Sequence, residues 1–235
     1  MKLFIGEFFS NRAELRTDEV HHIVKVLRMN DGDEICITDG KGKSARGKLL
    51  LKGKKAEVEI LELFPEKPLP ERTLHIAIAP TKSLERFEFF LEKSVELGVS
   101  EVTPLLSVNS ERKNLNSEKM QKQLESACKQ SLRTLFPTLN LLMSLNNFMK
   151  ENAGKKLFVA HCYQEYIKIP LKEVFENQKN ITILIGPEGD FSKHELELLF
   201  SQGATGVDLG KNRLRTETAG IFAAAGFYYA CDEYE

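Results

Sequence analysis

The sequence lacks the signals of metal-binding, secreted and membrane proteins. Its four cysteines are scattered, and none stands in a C-x-x-C pair or at a metal-ligand spacing from a histidine. We therefore expect reduced thiols, no bound metal and a cytoplasmic protein. No signal-peptide profile opens the chain. The longest run of small apolar residues, Ala219 to Ala230, is too short to cross a membrane.

The chain also has almost no net charge and no phosphate-binding motif. The net charge of −1 gives no general attraction to nucleic acid or membranes, so such binding needs local patches. The stretch from Lys41 to Lys55 is one, with seven basic residues and no acidic one. It fits either a solvated hairpin or a surface that follows a phosphate backbone. Neither G-x-G-x-x-G nor G-x-x-x-x-G-K-[ST] occurs, which counts against an enzyme that grips a nucleotide by its phosphates.

The first part of the chain, to about Phe64, predicts a small β-barrel. Short strand candidates are separated by glycine turns, and one amphipathic helix, Thr17 to Met29, interrupts them. The proline-spaced stretch from Pro65 to Pro70 predicts a stiff linker, so we place the domains at residues 1–68 and 69–235. The strand candidates are Glu34–Thr38, Gly47–Leu51 and Ala56–Ile60, and the helix has an apolar stripe of Val20, Ile23, Val24 and Leu27.

After the linker, strands alternate with helices, which predicts a mostly parallel sheet covered on both faces. The helix from Lys193 has a capping box, with Ser192 as N-cap and Glu195 three positions later. The strand candidates are Leu74–Ala79, Val102–Leu106, Leu157–Ala160, Ile181–Ile185 and Gly206–Leu209. The helix candidates are Leu84–Leu97, Glu118–Leu132, Leu171–Asn177, Lys193–Gln202 and Glu217–Ala230.

Two runs of glycine and polar residues, Leu184–Ser192 and Leu209–Ala219, each follow a strand candidate. Ligands of open α/β sheets bind at the carboxyl ends of strands, so the runs predict two walls of one pocket. Each also fits a plainer interpretation, as a tight turn or as a helix start capped by Thr216. Helix capping leaves Arg213 and Arg215 unexplained. Arginines at such a turn suit the binding of a phosphate or of an anion that develops during a reaction.

Two further features of the sequence each allow two interpretations. His161-Cys162, at another strand exit, is weak evidence for a metal or a nucleophile, and a backbone contribution to the same pocket is the better interpretation. The small residues from Ala219 to Gly226 fit core packing against a neighbouring helix or a self-complementary dimer face.

The chain resembles the RsmE family of 16S ribosomal RNA uridine-N3 methyltransferases, which belong to the SPOUT (trefoil-knot) class. In the first domain the resemblance rests on His22–Arg28, Gly32-Asp33 and Asp39-Gly40. In the second it rests on Lys82, Arg86–Glu88, Lys93–Val99, Gln130–Arg133 and the two glycine-containing runs. The resemblance covers nearly the whole chain, and the order of the motifs makes it specific.

The resemblance implies a PUA-like barrel that helps to hold RNA, followed by a knotted α/β domain that binds S-adenosylmethionine and forms a homodimer. It implies ribosomal RNA or the small ribosomal subunit as partner. The implied donor-binding residues are Leu184, Ile185, Gly186, Pro187, Glu188, Gly189, Leu209, Gly210, Leu214, Thr216 and Thr218, with Ala160 to Cys162 as a third wall. The implied RNA-binding residues are His22, Arg28, Lys82, Arg86 and Arg133.

The absence of a phosphate grip agrees with this donor, because S-adenosylmethionine carries no phosphate. Arg215 stays protonated, so it cannot accept the imide proton of uridine, but it can stabilise the oxyanion. Glu217 is the nearest carboxylate in sequence and the candidate proton acceptor. The alternative function is a non-catalytic RNA-binding factor of ribosome assembly on the same fold, and the intact glycines of the pocket favour the enzyme.

Overall fold

The computed structural model describes residues 2–53 and 55–231, and these residues form two compact units. The first unit takes the described residues up to Leu69 together with Glu125–Phe136. The second takes Pro70–Leu124 and the described residues from Pro137 onward. The assignment of RNA binding to one domain and methyl transfer to the other stays a prediction.

The first unit is a closed five-stranded barrel with the order β1-β2-β5-β4-β3. Its strands are β1 Leu3–Phe8, β2 Arg12–Leu15, β3 Glu34–Thr38, β4 Ser44–Lys52 and β5 Lys55–Leu63. Neighbouring strands are antiparallel except β1 and β3, which close the barrel in parallel. Inward-facing apolar side chains such as Phe4, Ile37 and Val58 fill it.

The helix predicted from Thr17 to Met29 is shorter than expected. Helix α1 covers Thr17–His21, and a π-helical turn follows over His22–Val26, in which the Leu27 amide donates to the His22 carbonyl at 3.0 Å. The wider turn shifts the side-chain phase, so Val24 is exposed although the apolar stripe predicted it inside. Arg28 then stops the helix, because its φ of 52° is left-handed.

The basic stretch between Lys41 and Lys55 lies mainly on the β4–β5 hairpin, and Lys54 is outside the described residues. Much of its charge is paired on the barrel surface. Arg46 contacts Glu34 and Glu62, Lys52 contacts Glu57, and Lys55 contacts Glu14, at 2.6–3.3 Å. The pairing supports the plainer interpretation, a solvated hairpin.

The second unit contains a parallel sheet with the order β11-β13-β10-β12-β6-β7-β8, and β9 pairs with β7. Its strands are β6 Thr73–Ile78, β7 Glu101–Leu106, β8 Thr138–Leu139, β9 Met143–Ser144, β10 Leu157–Ala160, β11 Ile169–Pro170, β12 Asn180–Ile185 and β13 Thr205–Asp208. The helices that follow α1 in chain order are α2 Leu84–Glu96, α3 Ser117–Gln130, α4 Leu145–Glu151, α5 Leu171–Asn177, α6 Lys193–Ser201 and α7 Thr216–Ala230.

The predicted fold, a small barrel followed by a mostly parallel α/β domain, is confirmed. The capping box of α6 is also confirmed: Ser192 accepts from the Glu195 amide, and Glu195 accepts from the Ser192 amide. Helix α3 ends two residues before the predicted Leu132, whose φ of 55° is left-handed. No helix among the described residues is long and apolar enough to span a bilayer.

Candidate functional site

Three strands of the second unit end side by side. Ala160, the last residue of β10, pairs with Ile185 at the end of β12 and with Val207 near the end of β13. The turns that leave these strands therefore meet at one edge of the sheet, where open α/β proteins bind ligands. This register brings together segments that are up to about fifty residues apart in the sequence.

The three turns enclose a cavity of about 770 Å³ within the second unit. That is large enough for a ligand of nucleoside size. Glycines, backbone groups and charged side chains of both signs form its wall. The lining residues are Ala160, His161, Cys162, Tyr163, Gln164, Lys168, Ile185, Gly186, Pro187, Glu188, Asp190, Val207, Asp208, Leu209, Gly210, Lys211, Asn212, Arg213, Leu214, Arg215, Thr216 and Ala219.

The turn after β12 is fixed by Asp190, whose φ of 62° is left-handed. Its backbone amide donates to the Pro187 carbonyl at 2.9 Å. Its carboxylate accepts from the amides of Cys162 and Phe191, each at 2.7 Å. One side chain therefore joins the turn after β12 to the turn after β10.

Asn109, in the loop after β7, holds the same turn from the other side. Its Nδ2 donates to the carbonyls of Gly189 at 3.2 Å and Asp190 at 3.0 Å. A Cβ at Gly189 would lie 3.2 Å from the Asn109 Cβ, so the close approach favours glycine. Asn109 is a supporting residue that the sequence reasoning did not identify, because its loop is distant in the chain.

The turn after β13 is joined to the turn after β12 by a buried hydrogen bond. Thr216 Oγ1 donates to the Gly186 carbonyl at 3.1 Å. The plainer interpretation of Thr216 as N-cap is wrong, because the N-cap is Arg215 and Thr216 is the first residue of α7. Gly210, with φ of 109°, donates its amide to Asp208 Oδ1 at 3.0 Å and turns the chain.

The turn after β10 carries two titratable side chains. His161 is buried, and burial followed by the charge of Lys168 lowers its pKa below the usual 6.5. Cys162 is exposed, and its pKa is raised by desolvation and by Asp190. The Cys162 thiol is therefore held in its protonated form, which makes it a poor nucleophile.

Most of the predicted donor-binding residues line the cavity, and three do not. The lining ones are Ile185, Gly186, Pro187, Glu188, Leu209, Gly210, Leu214 and Thr216, and the predicted catalytic Arg215 lines it too. Leu184 is fully buried in the core of the second unit. Gly189 packs against Asn109, and Thr218 is exposed on α7.

Glu217, the predicted proton acceptor, lies outside the cavity wall. Its side chain is buried on α7, which packs against α2. Its Oε1 is 3.8 Å from Nε of Arg86, and its Oε2 has no hydrogen-bond partner among the described residues. The structure therefore brings Glu217 together with Arg86, which was predicted to bind RNA, rather than with Arg215.

The other predicted RNA-binding residues fall into both units. Lys82, in the loop after β6, pairs with Glu111 at 2.8 Å, and its backbone amide donates to Glu188 of the cavity wall at 3.0 Å. His22 and Arg28 are exposed residues of the first unit. Arg133 also belongs to the first unit, and burial lowers its pKa.

Several lining residues were missed by the sequence reasoning. Tyr163, Gln164 and Lys168 come from the loop before β11, a strand of only two residues that gives no periodic signal. Asp190 and Asp208 also line the cavity. Asp190 lies within the run Leu184–Ser192, and Asp208 directly precedes the run Leu209–Ala219. Their position at the ends of strands could therefore have identified them.

The cavity can hold a ligand that carries charges of both signs. Acidic groups come from Glu188, Asp190 and Asp208, whereas Lys168 and Arg213 are among the basic ones. Backbone groups of the three turns can bind a planar ring through its edge. The described residues contain no cluster of three or more potential metal ligands.

Two family models match the chain. The model described as RNA methyltransferase domain matches residues 67–227, and the model described as RNA methyltransferase PUA domain matches residues 15–61. A relative from Mesomycoplasma hyopneumoniae (strain 232), named Ribosomal RNA small subunit methyltransferase E, is 32% identical over 228 residues, which are 94% of this chain and 96% of the relative.

Solved structures that superpose on the chain are also named as methyltransferases of ribosomal RNA. A probable rRNA-methyltransferase from Porphyromonas gingivalis is 34% identical and superposes with a TM-score of 0.86 over 100% of both chains. A Ribosomal RNA small subunit methyltransferase E from Neisseria gonorrhoeae, bound to S-adenosyl methionine, is 27% identical. It has a TM-score of 0.80 over 96% of this chain and 95% of its own.

Proposed function

The chain belongs to the RNA methyltransferase family that includes ribosomal RNA small subunit methyltransferase E, and from this premise we propose that it is an S-adenosylmethionine-dependent enzyme. Its proposed reaction is methylation of N3 of a uridine in the 16S RNA of the small ribosomal subunit. The observation that carries the proposal is the cavity between the three turns, whose wall of backbone and mixed charges suits this donor.

The residues of the cavity fit S-adenosylmethionine chemically. The donor has an adenine ring, a sulfonium cation and an amino-acid end with one charge of each sign, and it has no phosphate. Backbone groups at Gly186 and Gly210 can bind the ring, and carboxylates such as Asp208 can face the cationic parts. A relative from Neisseria gonorrhoeae that superposes on nearly the whole chain was solved with this molecule bound.

When bound, the donor supplies an electrophilic methyl group, and the protein supplies position and electrostatics. Arg215 lines the cavity, and its guanidinium can donate to the uridine carbonyl oxygen on which charge develops when N3 loses its proton. Glu217 remains the proposed proton acceptor. Its Oε2 has no hydrogen-bond partner among the described residues, so a proton placed there would displace no existing hydrogen bond.

RNA binding is proposed for His22, Arg28, Lys82, Arg86 and Arg133. Basic side chains that neutralise phosphates make affinity fall with salt. The exposed Lys82, next to the wall residue Glu188, supports this role most directly. We also propose that the protein works in the cytoplasm, where its ribosomal substrate is found, and that the C-terminal part of the chain forms the trefoil knot of its class.

A homodimer through the second domain is part of the proposal. The small residues of α7 are explained by packing within the chain, because a Cβ at Gly220 would meet Phe90 at 2.5 Å. Dimerisation is supported instead by large side chains that α7 leaves exposed. Phe222 is 46% exposed and Tyr229 is 76% exposed.

The test uses labelled S-adenosylmethionine and small subunits that lack their normal methylation. We expect incorporation of one methyl group, mapped by mass spectrometry to N3 of a uridine, and donor binding by calorimetry. Binding of RNA and donor without incorporation would favour the alternative, a non-catalytic assembly factor. Absence of both incorporation and donor binding would contradict the enzymatic proposal.

A further inference from the structure

Arg112 is a half-buried residue in the loop after β7, and its side chain contacts the backbone of the loop after β6. Its Nε donates to the Thr81 carbonyl at 3.0 Å, and its Nη2 donates to the Lys82 carbonyl at 2.6 Å. The planar guanidinium suits this arrangement, because its fork of donors can bind two neighbouring acceptors at once. The two carbonyls belong to consecutive residues, so the contact fixes the direction of the backbone at Lys82.

The backbone of Lys82 is also held from the side of the cavity. Its amide donates at 3.0 Å to Oε1 of Glu188, which lines the cavity. The preceding Thr81 is fully buried, and its Oγ1 donates to the Ser83 carbonyl at 2.6 Å. Both backbone polar groups of Lys82 are therefore bound, whereas its side chain is 75% exposed and pairs at 2.8 Å with the exposed Glu111.

The loop that carries Arg112 is itself anchored to other parts of the second unit. The Val108 amide donates to Oε1 of Glu195 on α6 at 2.8 Å, and Asn109 Nδ2 donates to two carbonyls of the turn after β12. Ser110 is buried, and its hydroxyl accepts from a backbone amide of the same loop at 3.0 Å. Arg112 therefore extends from a loop that is held in place, and it can hold the neighbouring loop after β6.

We propose that Arg112 is a positioning residue for RNA binding: it fixes the backbone of Lys82 so that the Lys82 ammonium group meets an RNA phosphate beside the cavity wall. The inference rests on the proposed function. Arg112 acts through Lys82 and not through its own charge. The turn after β12 keeps its supports from Asp190 and Asn109 when the Arg112 contacts are lost, so binding of the methyl donor does not depend on them.

The test uses substitutions that separate the shape of the Arg112 side chain from its charge. Arg112→Lys keeps the positive charge but loses the planar fork that binds both carbonyls. Lys82→Gln removes the proposed phosphate contact, and a double variant combines the two changes. The matched control Arg12→Lys makes the same change at an exposed arginine of the barrel, which pairs with Glu57. Thermal unfolding checks that each variant is folded.

The affinity for small ribosomal subunits that lack their normal methylation is measured over a range of salt concentrations. The demethylated product S-adenosylhomocysteine is present, so that no methyl group is transferred. Lys82→Gln should weaken binding about fivefold, near the upper limit for one exposed ion pair, and should reduce the slope of log affinity against log salt by about 0.7–0.9. Arg112→Lys should show both losses although its charge is unchanged, and the double variant should bind as Lys82→Gln does.

The affinity for S-adenosylmethionine, measured by calorimetry, should stay at the wild-type value in all variants, and Arg12→Lys should also bind subunits as the wild type does. Three results would overturn the inference and leave the proposed function standing. These are wild-type subunit binding by Arg112→Lys, losses from Arg112→Lys and Lys82→Gln that multiply in the double variant, and an equal loss of donor affinity in Arg112→Lys. A wild type that binds the donor but no small subunit would contradict the proposed substrate, and the inference would fail with it.

Discussion

Thr216 joins two walls of the cavity through one hydroxyl group, so its replacement by valine tests how the site is held together. Its Oγ1 donates to the Gly186 carbonyl at 3.1 Å, and Thr216 is only 5% exposed. Valine keeps the shape and removes the donor. The carbonyl then loses a partner inside the protein, where water cannot easily replace it.

The expected loss follows from the burial of both partners. A neutral hydrogen bond contributes about 1 kcal/mol net, and a buried group left without a partner costs about 1–3 kcal/mol. We expect Thr216→Val to lower the free energy of unfolding by about 1–3 kcal/mol, or the Tm by about 2–4 °C for each kcal/mol. Donor affinity should also fall, because the start of α7 is no longer held against the turn after β12.

Urea denaturation followed by circular dichroism measures the first effect, and calorimetry with S-adenosylmethionine measures the second. The matched control is Thr138→Val, the same change at an exposed strand position, which should stay within about 0.5 kcal/mol of the wild type. Unfolding of Thr216→Val at the wild-type midpoint would refute the reasoning, since the hydrogen bond would then contribute nothing.

Three further predictions concern packing, pH and catalysis. Gly220→Ala should lower the free energy of unfolding by about 1–2 kcal/mol in thermal unfolding, because the clash with the fully buried Phe90 outweighs the gain of about 1 kcal/mol in helix propensity. An equal or higher Tm would contradict this. Burial lowers the pKa of both His75 and His161 below 6.5, so near that pH the unfolded chain binds more protons than the folded chain. Stability should therefore fall as the pH drops below about 6.5, and a flat profile of urea midpoints between about pH 7.5 and pH 5.5 would exclude this linkage. Arg215→Ala should slow methylation of small subunits about 100-fold or more while donor affinity changes little. Equal losses would place Arg215 in the donor pocket instead.

The parallel sheet was predictable because its strands are buried on both faces. The six residues of β12 are apolar except at Asn180 and Thr182, and β10 was predicted with its observed bounds. Continuous apolar runs of this kind need no knowledge of neighbouring strands. The two-residue strands β8, β9 and β11 were missed, since pairing with longer strands defines them and their own sequence carries no period.

The barrel was less predictable, because close contacts between backbone segments determine which segments form its strands. Strand β1 was missed although Gly6 in it marks a tight crossing, where a Cβ would lie 2.9 Å from the Glu14 carbonyl oxygen. The π-helical turn after α1 was also outside the reach of periodicity. Its hydrogen bond spans one residue more than that of an α-helix, which changes which side chains face the core. Only the packed barrel shows that Ile23 is buried while Val24 is not.

The site shows why neighbours in the sequence need not share a function. Arg215 and Thr216 line the cavity, whereas Glu217 does not. Because α7 begins at Thr216, each further residue is rotated by about 100° around the helix axis. That rotation turns Glu217 away from Thr216 and toward Arg86 on α2. Glu217 was proposed as the proton acceptor because it is close to Arg215 in the sequence. In the structure it would have to act from the side of α2. Methylation by Glu217→Gln, compared with its affinity for the donor, separates this role from a structural one: loss of the first alone supports proton transfer, and loss of both indicates a role in holding α7 in place.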